Sequence, residues 1–155
     1  MNSVQVHLAL THVPVTLSLV GLTMLIVAFF IKNTTLTKTS YILLLIAGIF
    51  ALPVFFTGEG AEEAVENLPG VSDTIIERHE EMAKFAMISI CAAGLTALAA
   101  LLTFTWQKTF RISKVVVLLL ALVASGLMIQ TAHLGGQIRH SEIRNGFTVQ
   151  NGKYK

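Results

Sequence analysis

Residues 7–31 of the chain, HLALTHVPVTLSLVGLTMLIVAFFI, form an apolar stretch that opens with two histidines and a proline. From Val13 to Ile31 the stretch contains no Asp, Glu, Lys or Arg. An α-helix needs about 20 apolar residues to cross the hydrocarbon core of a bilayer. The stretch therefore predicts a transmembrane helix with His7, His12 and Pro14 at one end of it.

Three further segments are equally free of charged side chains: 39–58, 85–107 and 115–136. Of the 155 residues, 54% are hydrophobic and only 13% are charged, whereas soluble domains have about 25% charged residues. The segments do not alternate polar and apolar residues as the strands of a membrane β-barrel do. We therefore predict an all-α fold, a four-transmembrane-helix up-down bundle over residues 1–140 followed by a short polar tail over 141–155.

Caps and prolines predict the limits of the first two helices. The first helix is expected to start at a cap at Ser3. Pro14 lacks a backbone N–H, so a kink is expected near residues 10–11. The second helix is expected over residues 40–56, broken or bent at Pro53.

The third predicted helix is unusually long. It starts near Ser72 and continues without a break to about Trp106, which gives about 50 Å at 1.5 Å per residue. Its first turns should therefore project beyond a hydrocarbon core of about 30 Å. The fourth helix is expected to end at residues 135–136, a double glycine, and turn signals at residues 145–152 suggest a short hairpin.

Charge is segregated between the two ends of the predicted bundle. The connections at residues 32–38 and 108–114 contain five basic residues and no acidic one. The positive-inside rule places these two connections in the cytoplasm. Both termini and the connection at residues 58–84, which has eight acidic residues against two basic ones, are then expected on the outer side.

All five histidines are predicted at that outer end. Counting about 20 residues across the bilayer places His12 and His133 at the edge of the hydrocarbon. His7, His79 and His140 are expected in a second tier above them. A single histidine at this depth is often merely interfacial, but ionisable groups inside a membrane are usually functional. We therefore expect at least two of the five to bind one cofactor or metal.

Imidazole is a ligand for haem iron, zinc and copper alike. A haem with two histidine ligands requires small residues where the porphyrin lies, and several could provide that room: Gly58, Gly60, Ala92, Ala93, Gly94, Gly135 and Gly136. A di-iron carboxylate site is disfavoured, because the Glu-x-x-His motif that it requires on two helices does not occur. The sequence His79-Glu80-Glu81-Met82-Ala83 lacks the second histidine of a zinc protease. Zinc or copper bound by His7, His79 and His140 is an alternative.

The opening motif His7-Leu-Ala-Leu-Thr-His12-Val-Pro14-Val resembles the His-Pro-x-x-Val-His-Phe-Pro-Ile motif of an uncharacterised family of small four-helix bacterial inner-membrane proteins. Leu8 and Val13 stand where the family has proline and phenylalanine. The resemblance continues at a Gly-x-x-Ala loop after the second helix, a His-Glu motif before the third and a double glycine closing the fourth. It implies a multi-pass protein of the bacterial inner membrane with His7, His12 and His79 as family positions.

We interpret the protein as a small membrane b-type cytochrome that transfers electrons alone or as a subunit of a larger redox complex, rather than as a stand-alone enzyme. The candidate ligands of haem b are His12, His79 and His133, followed by His7. The acidic connection is either simply a solvated surface or a docking surface for a basic partner such as a soluble cytochrome. The alternatives are a non-catalytic accessory subunit and a protein that binds zinc or copper through histidines. No motif for nucleic-acid binding is present.

Overall fold

The computed structural model describes residues 2–66, 68, 70–103, 107–140 and 143. Within that part of the chain it has six helices: α1 Ser3–Leu10, α2 His12–Ile31, α3 Thr34–Phe56, α4 Gly58–Glu62, α5 Asp73–Leu102 and α6 Gln107–Arg139. Taking α1 and α2 as one span, four of its helical segments are long and apolar enough to cross a membrane. The predicted all-α fold with four membrane-spanning helices is confirmed.

The first span is capped at Asn2, one residue earlier than predicted at Ser3. Its helical hydrogen bonding is interrupted at Thr11, which separates α1 from α2. Thr11 itself keeps right-handed helical angles, with φ −52° and ψ −38°. The interruption occurs at the position predicted from Pro14, because the proline has no N–H to donate to the Leu10 carbonyl.

The second span begins earlier than predicted. Asn33 caps α3 by accepting a backbone N–H through its side chain at 2.9 Å, so the helix starts at Thr34 rather than near Ser40. The connection between α2 and α3 is therefore only Lys32 and Asn33, and Lys32 makes the turn with left-handed angles of φ 54° and ψ 34°. At its other end, α3 continues through Pro53 without a break.

The predicted long third span is also confirmed. Ser72 occupies the N-cap position of α5, which continues unbroken for 30 residues, or about 45 Å. The predicted end of α6 was wrong, since the helix continues through residues 135–136 to Arg139. The predicted end of the third span at Trp106 and the hairpin at 145–152 lie outside the described residues.

The spans form a ring in chain order. Helix α3 packs against α2 and α5, and α6 packs against α5 and closes the ring on α2. Helices α2 and α5 are therefore diagonal to each other. Glycines allow the closest approach between α3 and α5: a Cβ atom at Gly94 would lie 3.1 Å from the Leu44 carbonyl oxygen, and one at Gly48 would lie 3.3 Å from the Ile90 carbonyl oxygen.

The two ends of the bundle differ in composition. We call the end formed by α1, α4 and the start of α5 the histidine end, and the opposite end, where α2 meets α3, the lysine end. At the lysine end, Lys114 donates to the Ala28 carbonyl at 2.9 Å and its Nζ lies 5.4 Å from the centre of the Phe29 ring. The ammonium group thus pairs with a carbonyl in the last turn of α2, where helical partners run out.

Candidate functional site at the histidine end

His7 connects α1 to the end of α3. Its Nδ1 lies 2.9 Å from the carbonyl oxygen of Val54, in the last turn of α3. Because a carbonyl can only accept, Nδ1 must carry the proton and donate it. The ring is half-buried and lies against Gly58, where a Cβ atom would be 3.7 Å from its Cε1.

His79 makes the equivalent connection from α5 to α6. Its Nδ1 lies 3.0 Å from the carbonyl oxygen of Thr131. A Cβ atom at Gly135 would be only 3.0 Å from the Cε1 of His79, so the glycine is what admits the ring. His79 therefore lies beside residues 131–135 of α6, at the level of His133. The predicted second tier for His79 was wrong, because charge counting locates the membrane edge but not the register between two helices.

The two half-buried imidazoles share one arrangement. His7 and His79 are near enough to interact electrostatically. In each ring the Nδ1 edge is turned towards glycine and a backbone carbonyl. Neither Nε2 atom forms a hydrogen bond with a described residue. An imidazole that donates Nδ1–H to a carbonyl and keeps a lone pair on Nε2 is in the state that metal-ligating histidines adopt.

The other three histidines lie elsewhere on the bundle surface. His12, His133 and His140 are all exposed. The Nε2 of His133 lies 3.0 Å from Nε2 of Gln137, one turn along the same helix. The structure thus turns His7 and His79 inward and leaves His12 and His133 outward on α2 and α6.

A three-ligand metal set is not assembled in the described part of the chain. Among those residues, no three His, Cys, Asp or Glu side chains are grouped so that they could hold one metal ion. The alternative set of His7, His79 and His140 is therefore not brought together as a triad. Two imidazoles, and not three, form the site that the structure presents.

The glycines expected to make room for a porphyrin are in contact with protein atoms. His7 lies over Gly58, Ser3 over Gly60 and His79 over Gly135. The space at Gly94 is used for packing between α3 and α5. Two of these glycines, Gly58 and Gly135, accommodate the histidine rings, and their role in making room for a porphyrin stays a prediction.

An acidic surface adjoins the site on α4 and the start of α5. Partial burial raises the pKa of Glu62, and the nearby carboxylates, of which Glu80 acts most strongly, raise it further. The electrostatic interaction between Glu62 and Glu80 shows that α4 lies close to the turn of α5 that carries His79. The sequence did not predict α4 as a helix, since its GEGAE sequence has two glycines in five residues.

No family model matches the chain, and no curated protein or solved structure matches it either. The family resemblance of the opening motif therefore stays a prediction. The geometry of the histidine end is therefore the basis of the proposed function.

Proposed function

We propose that the protein is a small membrane b-type cytochrome in which His7 and His79 would hold one haem b. The observation that carries this proposal is the shared state of the two rings. Each donates Nδ1–H to a backbone carbonyl, at 2.9 Å for His7 and 3.0 Å for His79. Two imidazoles from diagonal spans, each with Nε2 available to bind iron, fit the ligand set of a bis-histidine haem.

Hydrogen bonds within the protein would orient the two proposed ligands before haem binds. The carbonyls of Val54 and Thr131 select one tautomer of each ring and hold its orientation, and such hydrogen bonds make the opposite nitrogen a stronger ligand. Half-burial of both rings limits the access of water. Haem ligated in this way would supply one-electron transfer between ferric and ferrous iron.

The acidic surface supports the choice of partner. Glu59 and Glu62 on α4, Glu63 at its C-cap and Glu80 on α5 put negative charge beside the proposed ligands. Such a surface favours encounter with a positively charged protein. We infer that a basic soluble cytochrome, or a basic subunit of a larger redox complex, exchanges electrons here.

The basic lysine end supports an orientation with the histidine end outside, which in a bacterial inner membrane is the periplasmic side. Labelling of single cysteines in a Cys91→Ala background tests this orientation. A membrane-impermeant reagent should modify Glu63→Cys and not Asn33→Cys in intact cells. Labelling of Asn33→Cys alone would reverse the orientation.

The visible spectrum tests the cofactor. The full chain, expressed with ample haem supply and purified in detergent, should show the absorption of a low-spin bis-histidine haem. His7→Ala and His79→Ala should each lose haem or turn it high-spin, because one iron position opens. His12→Ala and His133→Ala are matched controls on the outward surfaces and should keep the wild-type spectrum.

The other outcomes separate the rival functions. Loss of haem in His12→Ala but not in His7→Ala would keep the cytochrome and overturn the ligand assignment. A colourless protein that contains stoichiometric zinc or copper would favour a histidine-based metal-binding protein. A protein that is colourless and metal-free would favour a non-catalytic accessory subunit.

A further inference from the structure

We propose that the outward surface of α6 is an interface with a second copy of this chain inside the membrane. Gly126, Gln130 and His133 are all exposed. They follow one another at spacings of four and three residues, so they lie along one stripe of the helix. We call these three residues the α6 stripe. The proposal does not depend on the bound cofactor.

Helices α3 and α5, which are diagonal to α6 and adjacent to it, show the composition of a lipid-facing surface in this protein. The exposed residues of α3 between 41 and 56 are all apolar: Ile42, Ile49, Leu52, Pro53 and Phe56. The exposed residues of α5 between 85 and 102 are apolar too: Phe85, Ile88, Leu95, Ala99 and Leu102. The α6 stripe, with a glycine, an amide and an imidazole at comparable depth, departs from this composition.

Exposure of the Gln130 side chain to lipid is energetically unfavourable. Counting about 20 residues from Val115 puts the hydrocarbon edge near Leu134, so Gln130 lies about 6 Å inside it. Its side-chain amide has no hydrogen-bond partner among the described residues of its own chain. By contrast, the exposed hydroxyl of Thr23 on α2 donates to the carbonyl of Leu19 at 2.8 Å. An amide without a partner in hydrocarbon is unfavourable, and a protein surface over the stripe would remove that cost.

The chemistry of the stripe favours a second copy as that surface. A glutamine amide both donates and accepts, so two Gln130 side chains can pair with each other across a twofold axis. A Cβ atom at Gly126, one turn below, would meet no other described part of the chain within 4 Å beyond its chain neighbours and the backbone of its own helix, which leaves its backbone open to close approach by another helix. Residues 115–138 carry no formal charge, so identical stripes meet without like-charge repulsion.

Oligomeric state in lipid bilayers tests the interface. Single-molecule photobleaching of the labelled full chain in liposomes should give dimers whose fraction rises with protein density. Gln130→Leu should weaken dimerisation roughly tenfold, as expected for loss of one polar pair between membrane helices. Thr23→Val is the matched control, because it removes an exposed hydroxyl that its own helix already satisfies, and it should leave the dimer fraction unchanged.

Disulfide cross-linking locates the contact independently. In a Cys91→Ala background, Gly126→Cys should form a covalent dimer on mild oxidation, whereas Ile88→Cys on the outward surface of α5 should not. A monomeric wild-type protein at every density would overturn the proposal. So would a dimer that is insensitive to Gln130→Leu, or one that cross-links through Ile88→Cys and not through Gly126→Cys.

Discussion

The inward pair, His7 and His79, and the outward pair, His12 and His133, were predicted at the same end of the bundle but lie in opposite environments. Each inward ring is half-buried and bonded to a backbone carbonyl on another helix, whereas both outward rings are exposed. Five residues separate His7 from His12, which corresponds to a rotation of about 140° around a helix. Depth along a span and direction around it are thus separate properties, and histidines can share a ligand only when both agree.

The largest expected difference between the pairs is in stability. His79→Ala removes a ring packed between α5 and α6 and leaves a space beside Gly135, so we expect a loss of about 2 kcal/mol. His133→Ala removes an exposed ring and should change stability by less than about 0.5 kcal/mol. Thermal unfolding of both variants in detergent measures the difference. Equal losses of stability in the two variants would contradict this prediction, because inward and outward rings would then contribute equally to stability.

A smaller effect is expected at the glycines beside the inward rings. Gly135→Ala places a methyl group 3.0 Å from Cε1 of His79, which displaces the ring and should cost about 1 kcal/mol even after the gain in helix propensity. Gly58→Ala places its methyl group at an ordinary 3.7 Å from His7 and should be neutral or slightly stabilising. Chemical denaturation compares the two variants. A Gly135→Ala protein as stable as Gly58→Ala would mean that His79 does not need the glycine.

The smallest effect is expected beside the pair, at Glu62. Burial and neighbouring carboxylates raise the pKa of Glu62, so the folded protein binds this proton more tightly than the unfolded chain does. The contribution to stability is therefore greatest below the ordinary glutamate pKa of about 4.3 and is lost as the pH rises through the raised value. Glu62→Gln should flatten this fall in the unfolding temperature as the pH rises above the ordinary glutamate pKa of about 4.3, as measured in the same detergent.

Glu66→Gln is the control, because it changes a weaker contributor to the same electrostatic environment. It should retain most of the wild-type pH dependence. An unchanged pH profile in Glu62→Gln would show that burial and neighbouring carboxylates do not raise the pKa of Glu62.

Much of the fold could be predicted because hydrophobicity and length decide it. The four spans follow from their uncharged segments, and the length of α5 follows from its uninterrupted helix formers. Helix limits were harder where a single side chain decides them. The Asn33 cap starts α3 within a polar threonine-rich stretch, and packing against His79 keeps α6 helical through Gly135.

The candidate site could be predicted only in part. The sequence predicted all five histidines at one end of the bundle, and His7 and His79, which the structure turns inward there, were among the candidates. It could not indicate the carbonyls of Val54 and Thr131, because backbone groups carry no residue-type signal. Helical phase, which separates His7 from His12, was available in the sequence and was the information that depth counting left out.

The two-residue connection between α2 and α3 also has a consequence for biosynthesis. With only Lys32 and Asn33 between them, the two spans form a tight hairpin whose hinge carries a positive charge. So short a connection keeps the ends of the two spans together, and we expect the pair to enter the membrane as one helical hairpin. The topology of half the bundle would then be set in a single insertion event.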